Sequence, residues 1–311
     1  MVGGCHLSKW KKLKKDIVKS RQLYFMALPV MLFYIIFRYG SMYGGLIAFM
    51  DFKPAKGFLG SDWVGLKHFI RFLSDPYFFR LIRNTLLISI YSIIFSMPAA
   101  IILALLLNEI RNMRFKRLVQ TVSYLPHFVS MVVICGMLKN FLSSDGIITT
   151  LLSYLGFPQK NLLMVPAYYR AIHVASGIWQ TVGWNSIIYL SALAGIDQEQ
   201  YEAADLDGAG WLQKMCYITL PGILPTITVM FIIRLGQVMS VGYEKILLLS
   251  NTANLETADV ISSYVYRMGI ASSYPQYSYS AAVGLFTSVI NLILVTLGNK
   301  ICKKLNGSGL W

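Results

Sequence analysis

Long apolar runs, each close to the length of a membrane-spanning helix, limit what this chain can fold into. Six of them lie at roughly 22–45, 82–108, 118–142, 168–194, 222–249 and 280–301. A helix needs about 20 predominantly apolar residues to cross a bilayer. Charged residues make up 14% of the chain, against about a quarter in soluble domains. The sequence therefore predicts an all-α integral membrane protein with six transmembrane helices.

The first apolar run is the least regular. A basic stretch precedes it, and Arg38 and Gly40 interrupt it. Because no small-residue cleavage site follows, we interpret it as a retained signal-anchor helix and not as a removable signal peptide. We expect this helix to leave the bilayer near Phe37, with the residues that follow lying in the interface.

Lysine and arginine residues orient the predicted spans. They are concentrated in the N-terminal tail, in the 109–117 loop and in the C-terminal tail. With an even number of spans these segments share one side of the membrane, and their basic residues mark it as cytoplasmic. Both termini are therefore predicted to be cytoplasmic. The 46–81 segment is also basic, but it is longer and contains aspartates, so we interpret it as a folded external lobe.

The net charge of +14 does not by itself indicate nucleic-acid binding. Basic residues of membrane proteins gather on the cytoplasmic side and near anionic lipid head groups. We therefore expect membrane lipid, and no nucleic acid, as a partner. The cysteines are far apart and form no Cys-x-x-Cys pair, so the sequence predicts neither a disulfide nor a metal site. They are Cys5, Cys135, Cys216 and Cys302.

An acidic segment separates the fourth and fifth runs. Residues 197–206 suit a short helix that Asp197 could cap. Its apolar edge would consist of Tyr201, Ala204 and Leu206. Gly208 frees the backbone to turn, and apolar residues at helical spacing then resume. The sequence predicts a helix, a glycine turn and a second helix along the cytoplasmic face, before Pro221 begins the next span.

This segment resembles the EAA loop of bacterial binding-protein-dependent ABC transporter permeases. The matching residues are Glu202-Ala203-Ala204, Asp207-Gly208-Ala209, Ile218, Leu220-Pro221 and Pro225. Met215 departs from the aromatic residue that is usual in the family. The resemblance covers roughly residues 80–300 and implies the type I ABC importer permease fold in a bacterial cell membrane. It implies a transport domain at 80–300 with a coupling loop at 195–221. Residues 1–79, which precede this domain, comprise the basic tail, the first helix and the external lobe. Residues 301–311 form a short cytoplasmic tail after it.

The resemblance also implies that the loop docks in a cleft of a separate cytoplasmic ATPase dimer. Glu202 would supply a charge contact, and Gly208 would permit close approach. The implied coupling residues are Glu202, Ala203, Ala204, Asp207, Gly208, Ala209, Leu220 and Pro221. The nearest sequence to a phosphate-binding loop, at 60–67, lacks the lysine after its second glycine. We therefore expect no enzyme and no cofactor in this chain, with ATP and Mg²⁺ bound by the partner ATPase. The alternative is an ordinary interfacial helix, although such helices are usually basic.

Further motifs resemble the sugar and oligosaccharide permeases of the maltose-type class. They are Asn84-Thr85-Leu86, Phe115-Lys116-Arg117, Tyr124-Leu125-Pro126-His127 and Trp63-Val64-Gly65-Leu66. The last two look most like permeases for complex polysaccharides. The resemblance implies import of an oligosaccharide or polysaccharide fragment, a second permease subunit in a heterodimer, and an extracytoplasmic solute-binding protein. That protein would dock on the external lobe, with Trp63, His68 and Phe69, alongside the 250–278 loop.

Polar and aromatic residues in the fourth and fifth spans are candidates for the substrate pathway. They are Gln180, Trp184, Asn185, Arg234, Gln237 and Tyr243. Sugars need hydrogen-bonding groups and aromatic faces, and polar groups are costly in lipid, so these side chains should face a pore or another helix. Gln180, Trp184 and Gln237 could instead form contacts between helices of this chain. Arg234 could instead pair with a partner subunit.

Other function classes stay open at this point. Asp205 and Asp207 form an Asp-x-Asp motif that could chelate Mg²⁺ in an integral-membrane glycosyltransferase. A channel or secondary transporter would be expected to carry coupling charges in mid-membrane, but Arg234 is the one clear mid-span charge, and no carboxylate is near it in sequence. Within the ABC class, a permease for a non-sugar solute is the alternative.

Overall fold

The computed structural model describes residues 19–307 and 309–311. The predicted basic tail up to residue 18, with Cys5, lies outside the described residues. In chain order the helices are α1 (Arg21–Phe33), α2 (Gly40–Met42), α3 (Lys67–Leu73), α4 (Phe78–Glu109), α5 (Met113–Tyr124), α6 (Met131–Phe141), α7 (Ile147–Ser153), α8 (Pro166–Leu193), α9 (Gln198–Leu206), α10 (Trp211–Lys214), α11 (Leu220–Leu235), α12 (Tyr243–Leu249), α13 (Leu255–Ala258), α14 (Ile261–Gly269) and α15 (Tyr277–Asn306). Strands β1 (Met50–Asp51) and β2 (Asp62–Trp63) pair in antiparallel orientation.

Helices long enough to cross a membrane dominate the bundle. Within residues 19–307, four are also sufficiently apolar, namely Arg21–Phe49, Phe78–Glu109, Trp211–Leu235 and Tyr277–Leu305. A bent pair formed by Met113–Phe128 and Met131–Phe141 could be a fifth. Helix α8 is more polar, but its 28 residues exceed the ~20 that a span requires. This set is consistent with the six predicted spans.

The first helix continues past Phe37, where we expect it to leave the bilayer. It continues to Phe49 through a π turn at Tyr34–Tyr39 and a 3₁₀ segment at Tyr43–Phe49. Gly40 keeps a helical φ of −59°, because the penalty for glycine inside a helix, about 1 kcal/mol, is too small to break it. No side chain of α1 is buried, so this helix presents its whole surface to surroundings outside the chain.

The predicted third span, 118–142, is not one straight helix. It bends by 99° between Met113–Phe128 and Met131–Phe141. Pro126 is the physical cause, since its ring clashes with the carbonyl four residues earlier in a continuing α-helix. The chain tightens into a 3₁₀ turn at Leu125–Phe128. A new helix then starts where the Ser130 hydroxyl accepts a hydrogen bond from the Val133 N–H at 3.4 Å.

The predicted fifth span, 222–249, is displaced and broken. Its helix already begins at Trp211 and ends at Leu235, and α12 is a separate piece. A π turn at Met215–Thr219 precedes Pro221, which has no N–H to continue the regular hydrogen-bond ladder. After the break, the buried Lys245 donates to the His173 carbonyl at 2.9 Å and thereby attaches α12 to α8.

Helices α4 and α8 pack along much of their length and form the centre of the bundle. Near the C-terminal ends of the two helices, Ala100 and Ala104 of α4 meet Tyr189 and Leu193 of α8, with Ile223 of α11 closing the cluster. Small residues such as alanine let helix backbones approach closely in membranes, where van der Waals contact replaces the hydrophobic effect as the driving force. This contact holds α8 and α11 next to each other on α4.

Helix α8 makes a very close approach to α5 at Gly183. A Cβ added there would lie 2.2 Å from the Ser123 carbonyl oxygen. We expect Gly183→Ala to lower the thermal stability of the purified protein, because overpacking of this kind costs about 1–3 kcal/mol and backbone cannot rotate away as a side chain can. Gly284→Ala on α15, where the added Cβ meets nothing within 4 Å, is the matched control. Equal melting temperatures for the two variants would contradict the close contact.

Candidate functional site: the coupling loop and the polar mid-span cavity

Helix α9 of the coupling loop is capped at both ends by its own residues. The Asp197 carboxylate accepts the Glu199 N–H at 3.0 Å. At the other end the Ala209 N–H donates to the Ala204 carbonyl at 2.9 Å, and Gly208 adopts a left-handed φ of +73°. Glycine reaches that conformation without steric cost. The predicted helix and glycine turn are thus present in the structure.

Side chains lock the second half of the loop against α9. Lys214 Nζ lies 2.6 Å from Asp205 Oδ1, and the hydroxyls of Tyr201 and Thr219 are 3.0 Å apart. The Gly210 N–H donates to Gln213 Oε1 at 2.7 Å. Because the Trp211–Leu235 helix runs on into the membrane, a displacement of α9 would be passed directly to α11.

The outward face of the loop carries the residues implied to dock. Glu202 and Ala203 are exposed, whereas Ala204 and Ala209 are half-buried. The interpretation of Leu206 as part of the apolar edge of α9 was wrong, because its side chain is 91% exposed. Two helical residues turn the chain by about 200°, which takes Leu206 away from the side of Ala204. The loop also leaves apolar surface uncovered at Leu206, Trp211, Leu212 and Tyr217.

Three other implied coupling residues lie at the edges of this face. Asp207 is the exposed residue after the last turn of α9. Leu220 packs against the α4–α8 cluster, and Pro221 is exposed on the same helix. Both are therefore placed where the loop joins the membrane-spanning helix, and not on α9.

Two of the proposed pathway residues meet between α8 and the last turn of α11. Arg234 Nη2 lies 3.5 Å from Asn185 Oδ1, although the residues are far apart in sequence. Both line a cavity of about 50 Å³ between α4, α8 and α11, together with hydroxyl-bearing Ser92, Ser96 and Tyr189. Charged side chains within membrane-spanning segments usually face a polar cavity or pair with another group, and Arg234 does face this cavity.

The other pathway residues are in separate places. Trp184 stacks on His127, with ring centroids 4.5 Å apart and planes 6° from parallel. Tyr243 stacks on Tyr266 at 4.9 Å. Gln180 is 7% exposed and lies on the buried side of α8, while Gln237 is exposed just beyond α11. Trp184, one helical turn further along α8, is 44% exposed.

The external lobe is folded around Asp51. Its carboxylate binds Lys67 Nζ at 2.7 Å and His68 Nε2 at 2.9 Å. The hydrogen bond from Lys67 holds the pKa of Asp51 below its usual range. Because His68 is buried, its assignment to a docking surface was wrong, whereas Trp63 is 61% exposed. Phe69 is half-buried and packs against Phe49.

A second carboxylate joins the lobe to the rest of the bundle. Asp75 accepts hydrogen bonds from the hydroxyls of Tyr264 at 2.7 Å and Tyr279 at 3.0 Å, and from the Tyr77 N–H at 2.8 Å. Burial opposes ionisation, but these hydrogen bonds outweigh it, so the pKa of Asp75 lies below its usual range. The lobe and the 250–278 loop are thus held together.

A buried ionic network in the 250–278 loop was not anticipated. Arg267 makes two hydrogen bonds to the Asp259 carboxylate, at 2.9 and 2.6 Å, and the Asp259 side chain is 1% exposed. Asn84 of α4 donates to the carbonyls of Asp259 and Glu256 at 2.9 and 2.8 Å. The Asn84-Thr85 motif was the available signal, because an asparagine in an apolar span needs partners.

Comparison with known proteins agrees with this architecture. The family described as binding-protein-dependent transport system inner membrane component matches residues 96–306. The chain is 41% identical to the polygalacturonan/rhamnogalacturonan transport system permease protein YteP of Bacillus subtilis (strain 168), over 97% of this chain and 94% of YteP. It is 43% identical to the protein LplB of the same organism, over 100% of this chain and 96% of LplB.

Solved structures also match this chain to an ABC transporter subunit. A chain of the bacterial alginate ABC transporter, in complex with an alginate pentasaccharide-bound periplasmic protein, matches with a TM-score of 0.85 and 39% identity. The match covers 96% of this chain and all of that one. The predicted type I importer permease fold is confirmed. This chain belongs to the family of binding-protein-dependent inner-membrane transport components, and it is accordingly a multi-pass permease subunit of an ABC transporter and not an enzyme.

Proposed function

We propose that this chain is a transmembrane subunit of an ATP-driven importer that moves an oligosaccharide, or a polysaccharide fragment, into the bacterial cytoplasm. The observation that carries the proposal is the match over 96% of the chain to a subunit of a transporter for alginate. YteP is named for transport of polygalacturonan and rhamnogalacturonan, which are also polysaccharides. Neither YteP nor the alginate transporter is named for a non-sugar solute. The glycosyltransferase alternative is weakened further because Lys214 occupies Asp205.

The coupling loop suits docking to a separate ATPase dimer, which would hold the ATP and Mg²⁺ that this chain does not bind. Glu202 and the apolar side chains around Leu206 form an exposed surface on a rigid helix. Interfaces of this type combine apolar anchors with a few charged contacts at the rim. Movement of the ATPase cleft would shift α9 and, through the Asp205–Lys214 and Tyr201–Thr219 contacts, the base of α11.

Two further partners complete the proposed importer. A second permease subunit, in a heterodimer, would cover exposed polar groups such as Arg234 and close the pathway around them. An extracytoplasmic solute-binding protein would dock on the external lobe near Trp63 and on the 250–278 loop. This arrangement requires both termini in the cytoplasm, with residues 80–300 as the transport domain, 1–79 as the tail, first helix and lobe, and 301–311 as the short tail.

Reconstitution tests the proposal directly. The chain is co-expressed with its partner permease, ATPase and binding protein, and the complex is placed in proteoliposomes with the binding protein outside. We expect accumulation of labelled oligogalacturonides or alginate oligosaccharides that requires both binding protein and ATP. A non-hydrolysable ATP analogue is the control. Accumulation of a non-sugar solute with no sugar uptake, or sugar transfer by this chain alone, would refute the proposal.

A further inference from the structure

The cavity at Arg234 has a mixed lining. Ser92, Ser96, Asn185 and Tyr189 contribute polar groups beside Arg234, and Ile93, Met97, Ala100 and Met230 form the apolar remainder. Its volume of about 50 Å³ exceeds the roughly 10–15 Å³ that a cavity needs to hold one water, so a group of a few heavy atoms can enter it. Within the described chain, the hydroxyls of Ser92 and Ser96 make no hydrogen bond to another protein group. They are free to donate to a ligand placed between α4 and α11.

Arg234 brings an uncompensated positive charge to this cavity. No acidic side chain lies within 4 Å of it among the described residues. Its contact with Asn185 is long at 3.5 Å and uses one of five guanidinium N–H groups. A neutral sugar hydroxyl could be bound by serine and asparagine alone. The fixed charge therefore points to an anionic group as the missing partner.

A second basic side chain, Arg170, lies between α4 and α8, near the N-terminal ends of these two helices. Arg170 of α8 donates to Asn84 Oδ1 of α4 at 2.7 Å, and its buried Nε has no hydrogen-bond partner in the described part of the chain. Arg83 is exposed nearby on α4. From residue 83 to residue 92 an α-helix rises about 14 Å.

We propose that Arg234, with Asn185, Ser92 and Ser96, forms a subsite for the carboxylate of a uronic acid unit, which makes this permease selective for acidic oligosaccharides. The inference rests on the proposed sugar import and adds the charge of the substrate. Arginine presents two parallel N–H groups that match a planar carboxylate. The serine hydroxyls and the Asn185 amide supply further donors on the opposite sides of the cavity.

The test compares one acidic sugar with its neutral counterpart in the reconstituted importer. The substrates are labelled oligogalacturonides and the same oligosaccharides after reduction of their carboxyl groups to alcohols. For each sugar, the uptake rate of the Arg234→Gln importer is divided by that of the wild-type importer. Because the same binding protein delivers the sugar in both cases, its preference for one sugar does not affect this ratio. Arg38→Gln, an exposed arginine of the first helix, is the matched control. Subunit assembly is checked by size-exclusion chromatography.

We expect Arg234→Gln to lower uptake of the acidic sugar about ten- to a hundredfold, as for loss of a hydrogen bond to a charged group, and to leave the ratio for the reduced sugar near one. Arg234→Lys keeps the charge but not the forked geometry. Its uptake of the acidic sugar should therefore lie between that of Arg234→Gln and that of the wild type. Arg38→Gln should not distinguish the sugars. Equal losses for both sugars, or loss of assembly in both Arg234 variants, would overturn the subsite.

A failure of the proposed sugar import can be distinguished from a failure of the carboxylate subsite. If the wild-type importer carries the reduced sugar but not the acidic one, sugar import stands and the carboxylate subsite is wrong. If it carries neither sugar, nor any other oligosaccharide that its binding protein retains, the proposed sugar import fails and the subsite fails with it.

Discussion

Replacing Gly208 with valine is expected to abolish uptake and the transport-stimulated part of ATP hydrolysis together. Gly208 has a φ of +73°, where L-residues pay about 1–2 kcal/mol and a β-branched residue is a genuine outlier. The substituted turn would open and move α9 relative to the Trp211–Leu235 helix. Because a Cβ at this position meets nothing within 4 Å, the cause would be the backbone conformation and not a clash. Membrane insertion should be nearly normal.

Two neighbouring variants separate this explanation from general damage to the loop. Gly208→Asn should retain most of the uptake, because asparagine tolerates the left-handed region better than other residues. Gly210→Ala should behave like the wild type, since Gly210 has a φ of −69° and its added Cβ would lie 3.7 Å from Gln213 Oε1. Normal coupling in Gly208→Val would show that the turn is not needed for docking.

Removal of Arg267 is expected to be the most destabilising single change in the external loop. Arg267→Ala would leave the carboxylate of Asp259, which is 1% exposed, with Arg80 at 4.0 Å as its remaining ion-pair partner. Breaking a buried pair in this way typically costs about 3–5 kcal/mol. The loop should then loosen from α4, and the purified importer should melt at a lower temperature and become sensitive to external protease at residues 250–278.

Comparison with a double variant and a surface pair gives the test its controls. Asp259→Asn combined with Arg267→Ala should be less destabilised than Arg267→Ala alone, because no uncompensated charge remains buried. Lys53→Ala breaks the exposed pair with Asp62, 3.7 Å long, and should change stability by no more than about 1 kcal/mol. If Arg267→Ala proves as mild as Lys53→Ala, the ionic network does not hold the loop.

These predictions depend on the sequence to different degrees. The coupling turn could be read from the chain because each of its signals is local: Asp197 as cap, Gly208 as turn, and Pro221 after them. The polar requirement of Asn84 was also readable, but its partners were not, since the Asp259 carbonyl is 175 residues away. The positions of Arg234 and Asn185 in their spans were predicted, whereas their meeting across 49 residues was not.

The amino-acid sequence by itself determined that this chain crosses a membrane several times, that it carries an acidic coupling loop, and which permease family it resembles. Apolar length, caps, glycine and proline act within a few residues, so they need no knowledge of the rest of the chain. Only the tertiary structure decided where the third and fifth spans break, that His68 is buried, and that Leu206 is exposed. It also brought α4, α8 and α11 together around Arg234. Those features depend on how whole helices are rotated and aligned against one another, and that alignment is fixed by many weak contacts between residues distant in sequence.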